Sequence, residues 1–176
     1  MVNSKQKGGE FERTICKRLS LWISRGQRED LLWRAAMSGG RATVAAKKGQ
    51  MLTAQAGDIS CIHPMGEPFI RRFYCECKFY NNLQYSSLLL AKGNLANFWN
   101  TTKVEAYKYE KLPFMIAKQN RLPTTICTDT NGVMALVVNS DHVLMTVPML
   151  DLYIIHADMF LNNSPFVPED LSEAVN

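Results

Sequence analysis

The stretch Phe73-Tyr74-Cys75-Glu76-Cys77-Lys78-Phe79-Tyr80 reads as a β-strand, and the rest of the chain is best read outward from it. Successive side chains of a strand face opposite ways. Phe73, Cys75, Cys77 and Phe79 therefore share an apolar face, and Tyr74, Glu76, Lys78 and Tyr80 share the other. A carboxylate and an ammonium then stand side by side, about 6–7 Å apart at the backbone. With 11 lysines and 16 acidic residues among 176, chance supplies about one acidic-x-Lys triplet. Glu76-Cys77-Lys78 is the only one in the chain, so its spacing alone does not separate a site from an ordinary surface Glu/Lys pair. Its setting does more: charges on an otherwise apolar strand line a site more readily than a solvated face.

Two acidic elements lie upstream. Gly57-Asp58 opens a second short apolar run. Lys7-Gly8-Gly9-Glu10-Phe11-Glu12-Arg13 opens an amphipathic segment in which Phe11, Ile15, Leu19 and Trp22 or Ile23 recur at helical spacing. Glu12 falls in the first turn or so of that helix, where N-terminal polarity suits a carboxylate. Glu10, two residues away, points in another direction, so only one of the two can face a common site.

Lys7-Gly8-…-Glu12-Arg13, then Ala36-Met37-Ser38-Gly39-Gly40, Gly57-Asp58-Ile59 and Glu76-Cys77-Lys78, in that order, resemble the PD-(D/E)XK nuclease superfamily, most closely the archaeal-type Holliday junction resolvases. The likeness covers roughly residues 5–80. It implies an α/β fold with a restriction-endonuclease-like core, a central mixed β-sheet flanked by α-helices. It also implies a metal-dependent endodeoxyribonuclease that hydrolyses DNA phosphodiester bonds in a structure-selective way. Asp58, Glu76 and Glu12 would be the acidic site residues and Lys78 the catalytic lysine. Asp58 and Glu76 would hold Mg²⁺ (or Mn²⁺), with the Cys77 carbonyl as a further ligand and Glu12 holding a second ion or a bridging water. Lys78 would orient the attacking water. The substrate would be branched or junction DNA, and cutting a junction symmetrically calls for a homodimer. The long insertion between Gly40 and Asp58 departs from the compact resolvases. A sequence-specific restriction-type endonuclease and a catalytically retired nucleic-acid-binding module therefore stay open as alternatives.

Composition agrees with one globular domain: 176 residues, 47% hydrophobic, three tryptophans. The domain is expected over residues 1–163, with a basic insertion near 38–56 and a loose tail over 164–176. No apolar run is long enough to span a bilayer, and the opening residues lack a secretory apolar core. The expectation is a cytoplasmic protein of a bacterial, archaeal or phage-infected cell. Five cysteines without paired zinc spacing read as buried free thiols. The net charge of +4 hides an asymmetry. Residues 1–50 hold eleven Lys/Arg against four acids, while residues 127–176 hold seven acids and no Lys or Arg. A basic half suits a polyanion. The DNA-contacting candidates are Lys7 and Arg13 near the Gly-rich segment, Ser38, Arg41, Lys47 and Lys48 in the insertion, Arg71 and Arg72 ahead of the central strand, and Gln119 and Arg121 in a polar turn. The insertion reads either as a flap that orders on DNA or as a short solvated helix through 44–48.

The coarse pattern is a helix over 9–25, a strand over 31–36, a strand pair over 58–62 and 69–79, and helical structure over 86–109 broken at Gly93. Strands follow over 113–118 and 124–128. Asp129-Thr130-Asn131-Gly132 reads as a hairpin turn into a strand over 133–138. A strand over 143–147 and a helix over 149–157 finish the fold. None of the three histidines sits at a metal-binding spacing.

Overall fold

The computed structural model describes residues 4–35 and 57–168. Helix α1 (Ser4–Ile23) buries Ile15, Leu19, Trp22 and Ile23, the apolar stripe of its sequence. It begins ahead of the glycines, so Glu12 lies in its third turn, and helix N-terminal polarity does not reach it. The Ser20 hydroxyl accepts the backbone N–H groups of Leu31 (3.1 Å) and Leu32 (3.0 Å) and donates to the Cys16 carbonyl (2.8 Å). These bonds fasten α1 to β1 (Leu32–Arg34). β1 pairs antiparallel with β2 (Ile59–Cys61), with Arg34 opposite Ile59.

A 3₁₀ turn (Pro64–Gly66) leads into α2 (Glu67–Arg72) and then β3 (Phe73–Tyr80). Residues 69–72 are thus helical, not the start of a strand. Pro68 near the helix start, Glu67 in the first turn and Arg71 and Arg72 in the last suit a helix, and Glu67 pairs with Arg71 at 2.8 Å. Nor do β2 and β3 form a strand pair: the link there is the parallel bridge Gly57–Cys75. A 3₁₀ turn (Tyr85–Leu90), ended at Ala91 (φ 51°), is separated from α3 (Asn94–Lys108), which starts after Gly93 (φ 96°). β4 (Leu112–Gln119) returns parallel to β3, and α3 makes the crossover. β5 (Thr125–Thr128), α4 (Thr130–Leu136), β6 (Val143–Val147), β7 (Leu152–His156) and α5 (Ala157–Asn163) complete the order.

The main sheet is mixed, in the order β3-β4-β5-β7-β6, with every pair antiparallel except β3–β4. Two sequence expectations fail here. Residues 130–136 form α4 because the Asp129 carboxylate accepts the Gly132 N–H at 2.7 Å and caps a helix instead of closing a hairpin. Residues 152–156 form β7, held between β5 and β6, and the helix begins only at Ala157. β-branched Ile154 and Ile155 favour that central strand.

Alternation along β4 divides the interior. Phe114 and Ile116 join the core under α1 with Ile15, Leu19, Phe69 and Phe160, while Met115 and Ala117 face Leu95 and Trp99 of α3. The sheet is therefore covered by helices on both faces, as a restriction-endonuclease-like core is. Cys16, Cys75, Cys77 and Cys127 are free and buried, and Cys61 is free and half-buried. Burial pushes the Cys16 and Cys127 thiols up to about 12, which keeps them protonated and unreactive. Phe166 is 7% exposed and packs on Trp22 and Phe69, and the Trp22 indole N–H donates to the Ser164 carbonyl at 2.5 Å. Among the described residues no helix is long and apolar enough to cross a membrane.

Candidate active site

Asp58 is placed by its own peptide. Its N–H donates to the Cys75 carbonyl of β3 at 2.7 Å, and its carbonyl accepts the Ala35 N–H beyond β1 at 2.8 Å. The segment thus lies between β1 and the free edge of β3. Gly57 permits this approach: its φ is 94°, and a Cβ there would stand 2.4 Å from the Cys75 oxygen. The Asp58 carboxylate then turns onto β3 and accepts the Cys77 N–H at 2.9 Å through Oδ2. One peptide further out along the strand, Lys78 Nζ meets Glu76 Oε1 at 2.5 Å. The Glu76 and Lys78 side chains keep 18% and 27% of their surface, so both are accessible but mostly desolvated.

Burial raises the Glu76 carboxyl above its ordinary value, the Asp58 charge adds to this, and Lys78 offsets only part. For Lys78 burial works downward, but the charge and hydrogen bond of Glu76 outweigh it and leave the amine above its ordinary value. Lys78 is therefore a fixed cation at neutral pH. It can donate hydrogen bonds and offset developing negative charge, and it cannot accept a proton.

Glu12 arrives from α1. Its carboxyl is raised first by burial and then by the Asp58 charge, against the pull of Arg34 and Arg13. It is also a negative neighbour of Glu76. Glu10 is exposed, so Glu12 is the glutamate that turns inward. Its Oε2 pairs with Nε of Arg34 at 3.0 Å. Sequence reasoning passed over Arg34, although the signal matched the one that singled out Glu76: a lone charge on the apolar run Leu31-Leu32-Trp33-Arg34-Ala35-Ala36.

The donors on this edge are carboxylate oxygens and a backbone carbonyl, with negative charge only partly balanced by Lys78. Such a set fits a hard divalent cation that keeps several waters. Asp58 and Glu76 are the two carboxylates that could hold such a cation, with the Cys77 carbonyl as the candidate third oxygen. Glu12 is engaged by Arg34, and among the described residues no three His, Cys, Asp or Glu side chains are gathered tightly enough to hold a metal ion together. The cavities of about 490, 760 and 650 Å³ are lined by other residues. Among the described residues the site lies along a strand edge and not in one of these cavities.

The other candidates scatter. Lys7 sits over the Phe79 ring at 5.7 Å, and Arg13 is exposed on α1 with its charge acting on Glu12. Arg71 and Arg72 end α2, and Phe73 to Lys78 already spans about 17 Å of strand. Arg72 stacks over Phe73. Gln119 accepts the Leu83 N–H through Oε1 at 2.7 Å. Arg121 is exposed in the turn after β4, at φ 66°. Ser38, Arg41, Lys47 and Lys48 lie outside the described residues. His63 and His156 accept backbone N–H groups of Met65 and Met159.

A mixed sheet covered by helices, with an aspartate set against the edge strand that carries Glu-x-Lys, defines the PD-(D/E)XK class of nuclease folds. Over residues 3–156 the chain matches the model of the family described as "Phage putative PDDEXK endonuclease", and it belongs to that family. The family shown is thus a phage nuclease family, and the likeness to archaeal-type junction resolvases rests on the quoted motifs alone. No curated protein and no solved structure matches the chain.

Proposed function

We propose that this endonuclease hydrolyses DNA phosphodiester bonds with a divalent cation, Mg²⁺ or Mn²⁺, held by Asp58, Glu76 and the Cys77 carbonyl. The observation that carries the reading is the Asp58 carboxylate on the Cys77 N–H (2.9 Å) with Lys78 on Glu76 (2.5 Å). A bound cation supplies a more acidic water and neutralises phosphate charge. Asp58 is held by backbone hydrogen bonds to Cys75 and Ala35, so it presents its free oxygen without rearrangement. Lys78, kept protonated, aligns the attacking water and offsets the charge that builds on the phosphate. The desolvated edge strengthens both effects.

The substrate in this reading is branched DNA, and the working unit is a homodimer with two sites related by a two-fold axis. The motif order from Lys7 to Lys78 supports it. The test is nicking of four-way junctions, flaps and linear duplex, with and without Mg²⁺ or Mn²⁺, by wild type and Lys78→Ala. Metal-dependent cuts at branches that fall about 10²–10³-fold in Lys78→Ala are the expected result. Cuts at fixed base sequences in linear duplex would instead favour a restriction-type enzyme. DNA binding with every substrate intact would sink the catalytic reading.

A further inference from the structure

Glu12 stands among like charges yet is tied to a cation from another element. Arg34 reaches it from β1, and the way the guanidinium is seated shows more than a surface ion pair. It lies on the bare backbone of α1 at Gly9, where a Cβ would stand 3.0 Å from Nη1 and 3.4 Å from Cζ. Gly9 and Glu12 are three residues apart, on one helix face, so the same face supplies both the seat and the carboxylate. Arg34 uses Nε for Glu12 and keeps 40% of its side-chain surface in solvent. The N–H of the next residue, Ala35, donates to the Asp58 carbonyl at 2.8 Å, which ties this end of β1 to the aspartate's backbone.

We propose that Arg34 exchanges partners during binding: it neutralises Glu12 in the free protein and passes to a DNA phosphate in the complex, releasing Glu12 to join Asp58 and Glu76 as a third oxygen ligand. This rests on the cation-dependent reading above. A guanidinium pairs with phosphate as well as with carboxylate, through two parallel N–H groups. Its departure alone would leave Glu12 beside Asp58 uncompensated, so the exchange is favourable only when a cation enters as it leaves. The third ligand is then assembled by substrate, and the free protein carries a two-carboxylate site.

The test is calorimetric titration of DNA-free protein with Mn²⁺, beside DNA binding at a fixed concentration of Ca²⁺, a hard divalent cation that takes oxygen ligands, at several salt concentrations. The proteins are wild type, Arg34→Ala, Gly9→Ala, Asp58→Asn and Arg34→Ala with Glu12→Gln. In Arg34→Ala, Mn²⁺ should bind about ten-fold tighter, or a second ion should bind, because a charge-assisted bond no longer competes for Glu12. Adding Glu12→Gln should cancel the gain. Gly9→Ala keeps a good helix residue while its Cβ, 3.0 Å from Nη1, makes the guanidinium give by a few tenths of an ångström, and should shift Mn²⁺ binding the same way by less. The salt dependence of DNA binding should lose about one phosphate contact in Arg34→Ala, a slope change near 0.9. Unchanged Mn²⁺ binding in both Arg34→Ala and Gly9→Ala, or a gain that survives Glu12→Gln, overturns the exchange; an unchanged slope overturns the passage to phosphate. Wild type that binds no Mn²⁺, indistinguishable from Asp58→Asn, overturns the parent reading and the exchange with it.

Discussion

At the scale of single residues, the site holds ionised groups that the fold partly disfavours. Glu76 has its carboxyl raised by burial and by Asp58. A raised carboxyl contributes stability that is complete below its unfolded value and lost as pH rises through the folded one. At neutral pH the ionised Glu76 therefore weighs against the fold. Glu76→Gln should melt at a higher temperature than wild type at pH 7 in metal-free buffer while losing cleavage. The gap should close as pH falls into the carboxylate range; thermal melts against pH measure both. A wild type that melts higher than Glu76→Gln at pH 7 would show that the Lys78 pairing outweighs burial.

At the scale of elements, the site depends on how a short segment crosses from β2 to the edge of β3. Gly57 is the residue that allows it. Gly57→Ala should cost more than about 1 kcal/mol, because φ of 94° strains an alanine and its Cβ would run into the Cys75 carbonyl. It should also lower cleavage, since Asp58 is carried by the same peptide. Gly8→Ala is the contrast: nothing stands within 4 Å of a Cβ there. In the body of α1 it should stabilise by up to about 1 kcal/mol. Chemical denaturation of the two variants beside wild type checks both.

At the scale of the whole molecule, charge sorts the candidate DNA contacts. Lys7 lies on α1 over Phe79 and Arg13 acts on Glu12, whereas Arg71 is paired with Glu67 near the opposite end of β3. Lys7→Ala and Arg13→Ala should each reduce the salt slope of DNA binding by about 0.9, and Arg71→Ala should leave it unchanged. A slope that moves with Arg71 would put the DNA path along α2.

Much of this molecule was legible from residue order. The two-residue alternation of 73–80 determined a strand with one apolar face, and the three-to-four spacing of Ile15, Leu19 and Trp22 determined the first helix, because these periods are set by local backbone geometry. Glu-x-Lys and the upstream aspartate were visible as misplaced charges on apolar runs. What local pattern left undecided was settled by partners distant in the chain. Asp129 became a helix cap instead of a hairpin turn, 152–156 a strand held between two others, and 69–72 a helix, since each short segment is compatible with more than one state until packing selects one. The Arg34–Glu12 pair and the choice of Glu12 over Glu10 likewise needed tertiary structure. A residue's direction within its element follows from sequence period, but which charge it meets depends on how α1, β1 and β3 are brought together.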